Sequence, residues 1–257
     1  MSEPSQPTVL VIVPTYNEAE NIHDIAGRVL STVPAAHLLV VDDGSPDGTG
    51  DLVDELAATD DRVHLMRRSG KLGLGTAYVA GFRWGLERGY DLLVEMDADG
   101  SHPADRLPAL IAAVAEADPA ANVMLAIGSR WIEGGSVVDW PKHRELLSRG
   151  GNGYARIMLG LNVHDITAGF RVYRADAIAK MELDAVDSNG YCFQVDMTLR
   201  VHDLGGRIVE VPIRFRDRIH GVSKMSQAIV VEAMVRTTQW GLQRRFGRRR
   251  PTAPKRG

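Results

Sequence analysis

The chain has 257 residues, of which 44% are hydrophobic and 25% are charged, so it carries enough apolar material for a large core. It contains no run of about 18 consecutive apolar residues and no charged-then-apolar leader, so the sequence predicts neither a membrane span nor export. The net charge of -3 is unevenly distributed. Eight Lys and Arg and no acidic residue follow Glu232, so an acidic body is followed by a basic end. The single cysteine, Cys192, cannot form an internal disulfide and is predicted to be a small buried side chain.

Strand-length apolar runs alternate with helical patterns through the first half of the chain. The runs lie at residues 8–13, 37–41, 62–66, 91–96 and 123–127. Helical patterns lie between them, at residues 19–31, 49–58, 73–87 and 104–117. This alternation predicts an α/β fold with a mostly parallel twisted sheet flanked by helices.

The second half is less regular. A stretch rich in Gly, Arg and Trp at 128–153 precedes a helix-like segment, a short strand at 169–173, a helix at 193–204 and a strand at 207–213. A loop at 215–224 leads into a last helix at 226–244. We therefore expect four parts: an N-terminal tail (1–7), a catalytic-type domain (8–225), an amphipathic C-terminal helix (226–246) and a basic disordered tail (247–257).

Acidic motifs follow three of the predicted strands. Asn17 and Glu18 follow the first, Asp42 and Asp43 the second, and the Asp97-Ala98-Asp99 motif the fourth. In open parallel sheets ligands bind beyond the carboxyl ends of the strands, so these motifs should meet in one crevice. Each motif alone is also explained by a turn or a helix cap. Two carboxylates one residue apart are typical of a Mg²⁺ site that also holds substrate phosphates.

Together these motifs resemble those of inverting glycosyltransferases of family 2, and within that family the dolichol- or polyprenol-phosphate mannosyltransferases. The matching segments include VPTYNE (13–18), VDDGSPDGT (41–49), MDAD (96–99), DITAGFR (165–171) and RIHGVSK (218–224). The resemblance implies a GT-A fold. It also implies transfer of mannose with inversion from GDP-mannose to a polyprenyl phosphate, the reaction of a dolichyl-phosphate β-D-mannosyltransferase.

The resemblance also implies the roles of individual residues. The donor would be held by a set that follows the strand ends: Pro14, Tyr16, Glu18, Val41, Asp43, Asp97, Ala98, Asp99, Ser101, Arg130, Arg218 and Lys224. Asp97 and Asp99 would hold Mg²⁺ or Mn²⁺, and Ser101 with His102 stands where family members often have glutamine. The predicted catalytic residues are Asp99 and three basic residues that face the phosphates: Arg130, Arg218 and Lys224.

A lipid phosphate is already ionised near neutral pH, so the predicted reaction needs no strong general base and we assign no catalytic histidine. Six histidines are instead interpreted as structural or surface residues: His64, His102, His143, His164, His202 and His220. Among them, His220 lies in the basic loop and is the first candidate for a role at the site.

The implied acceptor stays in a bilayer, which predicts a peripheral protein on the cytoplasmic face of the membrane and leaves open an integral-membrane partner protein. The last helix either lies in the membrane interface or docks on the domain. No nucleic-acid partner is expected, because the body is acidic and no aromatic-basic stacking surface is evident.

Two other reactions fit the same fold: glucose transfer from UDP-glucose to a lipid phosphate, and transfer to a growing polysaccharide. A polysaccharide hydroxyl would need a carboxylate base in the second half, for which Asp165 or Asp196 are the candidates. A nucleotide-binding protein without catalysis is a further alternative. The loop Gly73-Leu74-Gly75 after Lys71 does not support it, since it lacks the spacing of a phosphate-binding P-loop.

Overall fold

A computed structural model describes residues 6–186, 191–217 and 227–246. The strands in these ranges are β1 (Val9–Thr15), β2 (Ala36–Asp42), β3 (Val63–Arg67), β4 (Leu92–Glu95), β5 (Val123–Ser129), β6 (Ser136–Val138), β7 (Arg171–Arg174), β8 (Arg207–Pro212) and β9 (Arg214–Arg216). The α-helices are α1 (Ile22–Thr32), α2 (Thr49–Ala57), α3 (Leu74–Glu87), α4 (Leu107–Ala115), α5 (Lys142–Leu159), α6 (Ala175–Ala179), α7 (Tyr191–Asp203) and α8 (Gln227–Arg245). Short 3₁₀ helices lie at Ala104–Arg106, Pro119–Ala121 and Leu183–Ala185.

Seven strands form the main sheet in the order β3-β2-β1-β4-β7-β5-β8. All neighbouring pairs are parallel except those of β7, which runs antiparallel to both β4 and β5. The predicted mostly parallel α/β sheet is therefore confirmed. The strand order changes direction at β1, which opens a crevice at the carboxyl ends of β1, β2 and β4.

The helices cover both faces of the sheet and enclose a buried apolar cluster on each face. On one face, α3 lies very close to the sheet because it presents glycines to it. A Cβ atom at Gly81 would lie 2.5 Å from Ile12, and one at Gly85 would lie 2.5 Å from Leu93. These glycines set the distance between α3 and the strands that carry the acidic motifs.

The second half differs from the sequence prediction in three places, one of which is the short helix α6, which was not predicted. Helix α5 begins at Lys142, well before the end of the stretch that was expected to be irregular up to 153. Its glycines 150, 151 and 153 disfavour a helix, but Asn152, Ala155 and Leu159 are buried, so packing outweighs the local preference. The short parallel pair of β6 and β9 was not predicted, because strands of three residues carry too little pattern to be found.

The last described helix, α8, packs on α5 and α7. Thr237 is buried, and Tyr154 of α5 shares a 2.5 Å hydrogen bond with Thr238. A Cβ atom at Gly241 would lie 2.5 Å from the carbonyl oxygen of Met158, so the two helix backbones nearly touch. No helix in the described ranges is both long and apolar enough to cross a membrane.

Candidate active site

The loops that follow β1 and β2 are joined by side-chain hydrogen bonds. Three backbone amides after β1 donate hydrogen bonds of 3.0 Å to side chains after β2. The amide of residue 17 donates to Ser45 Oγ, the amide of Glu18 to Thr49 Oγ1, and the amide of Ala19 to Asp47 Oδ2. Burial acts to raise the pKa of Asp47, but hydrogen bonds from Thr49 and from backbone amides outweigh it and lower that pKa below its ordinary value. The segment SPDGT (45–49) therefore holds the first loop in place, and we call these three bonds the loop clasp.

The two neighbouring aspartates after β2 have different surroundings. Asp42 is buried and accepts hydrogen bonds from Thr15 at 2.9 Å and from the hydroxyl of Ser45 at 2.5 Å. Asp43 instead faces the loop after β3. Its Oδ2 accepts the amide of Leu72 at 3.1 Å, and its Oδ1 lies 2.7 Å from Nε of Arg68. Asp42 thus links the ends of β1 and β2, whereas Asp43 links the end of β2 to the loop after β3.

Asp97 and Asp99 lie just beyond β4, as predicted. Asp99 is buried and its Oδ1 accepts the amide of Ser101 at 3.0 Å, whereas the Asp97 side chain is one-third exposed, at 33%. The hydroxyl of Ser101 is buried without a hydrogen-bond partner. Two carboxylates beside an unpartnered hydroxyl form an all-oxygen set that suits Mg²⁺ or Mn²⁺. The residues present therefore fit the implied ion.

The described ranges contain no group of three or more His, Cys, Asp or Glu that could hold a metal. An ion at Asp97 and Asp99 would take its other ligands from water and from the oxygens of a bound substrate. This matches the behaviour of Mg²⁺, which usually takes one or two carboxylates together with substrate phosphates.

Two buried side chains support Asp97. The Tyr78 hydroxyl lies 3.3 Å from its Oδ1, and burial followed by the charge of Asp97 raises the pKa of Tyr78 well above its ordinary value. His102 Nδ1 accepts the amide of Asp97 at 3.0 Å, and the His102 ring stacks on Phe170. The interpretation of His102 as structural agrees with this geometry. Tyr78 had no sequence signal, because one tyrosine on a helix is ordinary core material.

A buried polar network lies behind this strand end. The guanidinium of Arg171 is fully buried and donates to the carbonyls of residues 166, 168 and 194 and to the hydroxyls of Tyr173 and Thr198, at 2.6–3.2 Å. Glu95 accepts Nε2 of Gln194 at 2.7 Å. Burial raises the pKa of Glu95 to about 7, although Arg171 and the hydrogen bonds from Gln194 and Tyr173 oppose the rise.

Arg130 lies at the end of β5 in a buried ion pair. Its Nε and Nη2 donate to the two oxygens of Asp165 at 2.7 and 2.6 Å, and its backbone amide donates to the same carboxylate at 2.9 Å. The rings of Trp131, Trp140 and Phe215 surround the guanidinium at 5.3–5.5 Å. These contacts fix the orientation of the Arg130 guanidinium just beyond the end of β5.

The other predicted residues are distributed unevenly. Pro14, Tyr16 and Glu18 lie at the end of β1 or just after it, beside the loop clasp. Nζ of Lys71 lies 4.4 Å from the centre of the Tyr16 ring. Glu18 accepts a 2.7 Å hydrogen bond from the side-chain amide of Asn21. Val41 and Ala98 are buried, so any contact they make to a donor is through the backbone or one edge. Arg218, Lys224 and His220 lie outside the described residues.

Residues 10–181 match the family described as Glycosyl transferase family 2. The chain is a member of this family. It is 58% identical to the undecaprenyl-phosphate mannosyltransferase of Micrococcus luteus over 93% of this chain and 96% of that protein. It is 56% identical to the polyprenol monophosphomannose synthase of Mycolicibacterium smegmatis over 96% of this chain and 91% of that protein.

The fold of this family 2 member is also found in glucosyl-3-phosphoglycerate synthase from Mycobacterium tuberculosis, solved in complex with Mn²⁺, UDP and glucosyl-3-phosphoglycerate. The TM-score is 0.63 at 20% identity, covering 96% of this chain and 82% of that one. The GT-A fold implied by the resemblance is therefore confirmed.

Proposed function

We propose that this family 2 glycosyltransferase transfers mannose from GDP-mannose to a polyprenyl phosphate with inversion. The observation that carries the proposal is the identity of 58% and 56%, over nearly the whole chain, to two proteins named for this kind of transfer. The acidic crevice at the ends of β1, β2 and β4 supports it, because its all-oxygen ligand set suits a nucleoside diphosphate bound with a divalent ion.

In the proposed mechanism an oxygen of the acceptor phosphate attacks the anomeric carbon from the side opposite the leaving GDP. Asp97 and Asp99 would hold Mg²⁺ or Mn²⁺, which supplies positive charge next to the leaving diphosphate. Tyr78 and His102 keep Asp97 in position from behind, at 3.3 and 3.0 Å. Preorganised charge of this kind accelerates a transfer without needing to rearrange during the reaction.

The carboxylates of the second half support a phosphate acceptor over a hydroxyl acceptor. Asp165 is fully buried in its ion pair with Arg130. Asp196 is also buried, and its Oδ1 accepts Nε of Arg200 at 3.1 Å. A carboxylate held by an arginine is a poor general base, whereas an ionised phosphate needs none. These contacts argue against transfer to a polysaccharide hydroxyl.

A membrane surface is the proposed location of the acceptor, on the cytoplasmic side. Helices α5 and α8 pack together and large apolar side chains on or next to them are exposed: Leu146 at 74% and Ile157 at 82% on α5, and Phe246 at 75% just after α8. Arg244 and Arg245 end α8, and the basic segment of the sequence follows them. Exposed apolar groups next to basic ones suit the surface of an anionic bilayer.

The proposal is tested by incubating the protein with radiolabelled GDP-mannose, Mn²⁺ or Mg²⁺ and a polyprenyl phosphate in detergent, and then measuring label extracted into organic solvent. We expect lipid-linked label that is lost in Asp99→Ala and retained in Asp61→Ala, a matched exposed aspartate before β3. Label obtained from UDP-glucose and absent with GDP-mannose would overturn the donor. Absence of label from both would overturn the acceptor class.

A further inference from the structure

Glu210, on β8, holds the backbone of the loop between α5 and β7. Its Oε2 accepts the amide of His164 at 2.9 Å and lies 2.9 Å from Nδ1 of the same residue. Its Oε1 accepts the amide of Asp165 at 3.0 Å. The Glu210 side chain is only 10% exposed. A single, nearly buried carboxylate therefore binds two successive backbone amides and fixes the chain at residues 164 and 165.

These two amides need an acceptor from another part of the chain. Residues 164 and 165 belong to neither a helix nor a strand, so no regular ladder of hydrogen bonds supplies one. Val163 and Ile166, on either side of them, are buried, so this part of the loop lies against the core. Buried backbone N–H groups are almost always bonded. Glu210 supplies the two acceptors that a neighbouring strand would otherwise provide.

The fixed backbone determines where the Asp165 carboxylate lies. This carboxylate is fully buried, and it accepts both Nε and Nη2 of Arg130. A continuous set of hydrogen bonds thus runs from Glu210 through the backbone of residue 165 to the guanidinium of Arg130.

Strand β8 also fixes the backbone of Arg130. Glu210 lies opposite Ile127 of β5, three residues before Arg130. The amide of Ile213 donates to the carbonyl of Ser129 at 3.0 Å, so the contact between the two chain segments continues to the residue before Arg130. The backbone of this arginine is therefore placed by the strand pair, and its guanidinium by Glu210 and Asp165.

From these contacts we infer that Glu210 is a positioning residue for the transfer reaction, and that it acts on Arg130 through the backbone of residues 164–165 and the carboxylate of Asp165. This inference rests on the proposed function, in which Arg130 faces the phosphates. Charge that is already in place stabilises a developing anion without rearranging, and a displacement of about 1 Å can cost about 100-fold in rate. Loosening Asp165 should therefore slow transfer although Arg130 keeps its charge.

The first test compares Glu210→Gln with His164→Ala in the full chain, using lipid-linked label from GDP-mannose. Glutamine has the same shape, but its amide nitrogen would face one of the two backbone amides, which then loses its acceptor. His164→Ala is the matched control, because it removes the imidazole beside Glu210 and leaves both backbone amides bonded. We expect Glu210→Gln to lower kcat by about 10- to 100-fold and to change the donor KM by less than about threefold. His164→Ala should stay within about threefold of the unchanged protein in both constants.

A double variant separates a positioning role from a separate contribution. Arg130→Lys keeps the positive charge beside Asp165 but cannot make the two-point contact of a guanidinium. If Glu210 acts through Arg130, the double variant Glu210→Gln with Arg130→Lys should lose little more kcat than Arg130→Lys alone. Losses of kcat that multiply would overturn the inference.

A second measurement needs no transfer activity. Hydrogen exchange of the Arg130 Nε–H group is followed by ¹⁵N NMR, with the signal assigned by its loss in Arg130→Lys. Exchange should become about 10-fold faster or more in Glu210→Gln and stay unchanged in His164→Ala. If Glu210→Gln is unfolded at the assay temperature, Glu210→Asp replaces it, because its shorter side chain keeps the charge but cannot reach both amides.

Two results would overturn the inference and leave the proposed function standing. One is a lower thermal midpoint of Glu210→Gln with unchanged kcat and unchanged exchange at Arg130, which would make Glu210 a residue of the fold alone. The other is an equal loss of kcat in His164→Ala, which would assign the effect to the imidazole. A wild-type protein that transfers no mannose would instead overturn the proposed function, while exchange at Arg130 would still show whether Glu210 holds it.

Discussion

Replacing Arg171 with methionine tests whether the buried network behind the acidic motif stabilises the fold. The change keeps most of the aliphatic volume but removes donors to three backbone carbonyls and two hydroxyls. Each buried acceptor left unpaired costs about 1–3 kcal/mol, and relaxation of the loop at 165–170 recovers part of that cost. Glu95 also loses its nearest compensating charge. We therefore expect the free energy of unfolding to fall by about 3–5 kcal/mol.

The assay is equilibrium unfolding in urea, followed by far-ultraviolet circular dichroism. Arg174→Met is the matched control on the same strand, because Arg174 is partly exposed and pairs with Asp176 on the surface, where a pair contributes at most about 1 kcal/mol. The double variant Glu95→Gln with Arg171→Met should lose less stability than the sum of the single variants, since it leaves no uncompensated carboxylate. Similar losses for Arg171→Met and Arg174→Met would refute the reasoning.

Three further predictions test other parts of the structure. Gly81→Ala should destabilise the fold by about 1–3 kcal/mol, because its Cβ would lie 2.5 Å from Ile12 of the sheet. Gly150→Ala should stabilise the fold by up to about 1 kcal/mol, because no atom lies within 4 Å of its Cβ and alanine favours the helix. Thermal unfolding compares the two variants, and equal shifts of the midpoint would argue against close packing of α3. Burial, and then nearby positive charge, lowers the pKa of His64 in the folded protein. The unfolded chain therefore binds this proton at a higher pH than the folded protein does, and the free energy of unfolding should fall as pH drops below about 6.5. The urea midpoint of His64→Gln should fall less steeply with acid than that of the unchanged protein, and an equal slope would contradict this. Tyr78→Phe should raise the Mn²⁺ concentration needed for half-maximal transfer about 10-fold or more, because the hydroxyl that contacts Asp97 Oδ1 is lost. A metal titration with unchanged half-saturation would remove Tyr78 from the site.

The sequence predicted the parts of the fold that carry strong local patterns. The apolar runs before the motifs at 14–18, 42–45 and 97–99 each became a strand of the main sheet, and the rule that ligands bind beyond strand ends brought these motifs together. The rule fails at β7, because this strand runs antiparallel. The residues at the ligand edge there precede the strand, and Asp165 is one of them.

The rest of the site could not be predicted, because it depends on contacts between distant segments. Asp42 and Asp43 look equivalent in sequence, and only the structure shows that Asp42 bonds Thr15 and Ser45 whereas Asp43 contacts Leu72 and Arg68. Arg68 and Arg67 are likewise adjacent arginines, one nearly buried beside Asp43 and one on the surface. Glu95 reads as a break in an apolar run until its link to Gln194, 99 positions away, is known.

The loop clasp of Ser45, Asp47 and Thr49 has a consequence for how fast a nucleotide binds. Because these side chains already hold the backbone of residues 17–19, that part of the crevice is ordered before a ligand arrives. Little backbone entropy remains to be lost on binding at this side of the crevice. The association rate constant should therefore be set by diffusion and by attraction between charges. Ordering of a loop should not slow nucleotide binding at this side of the site.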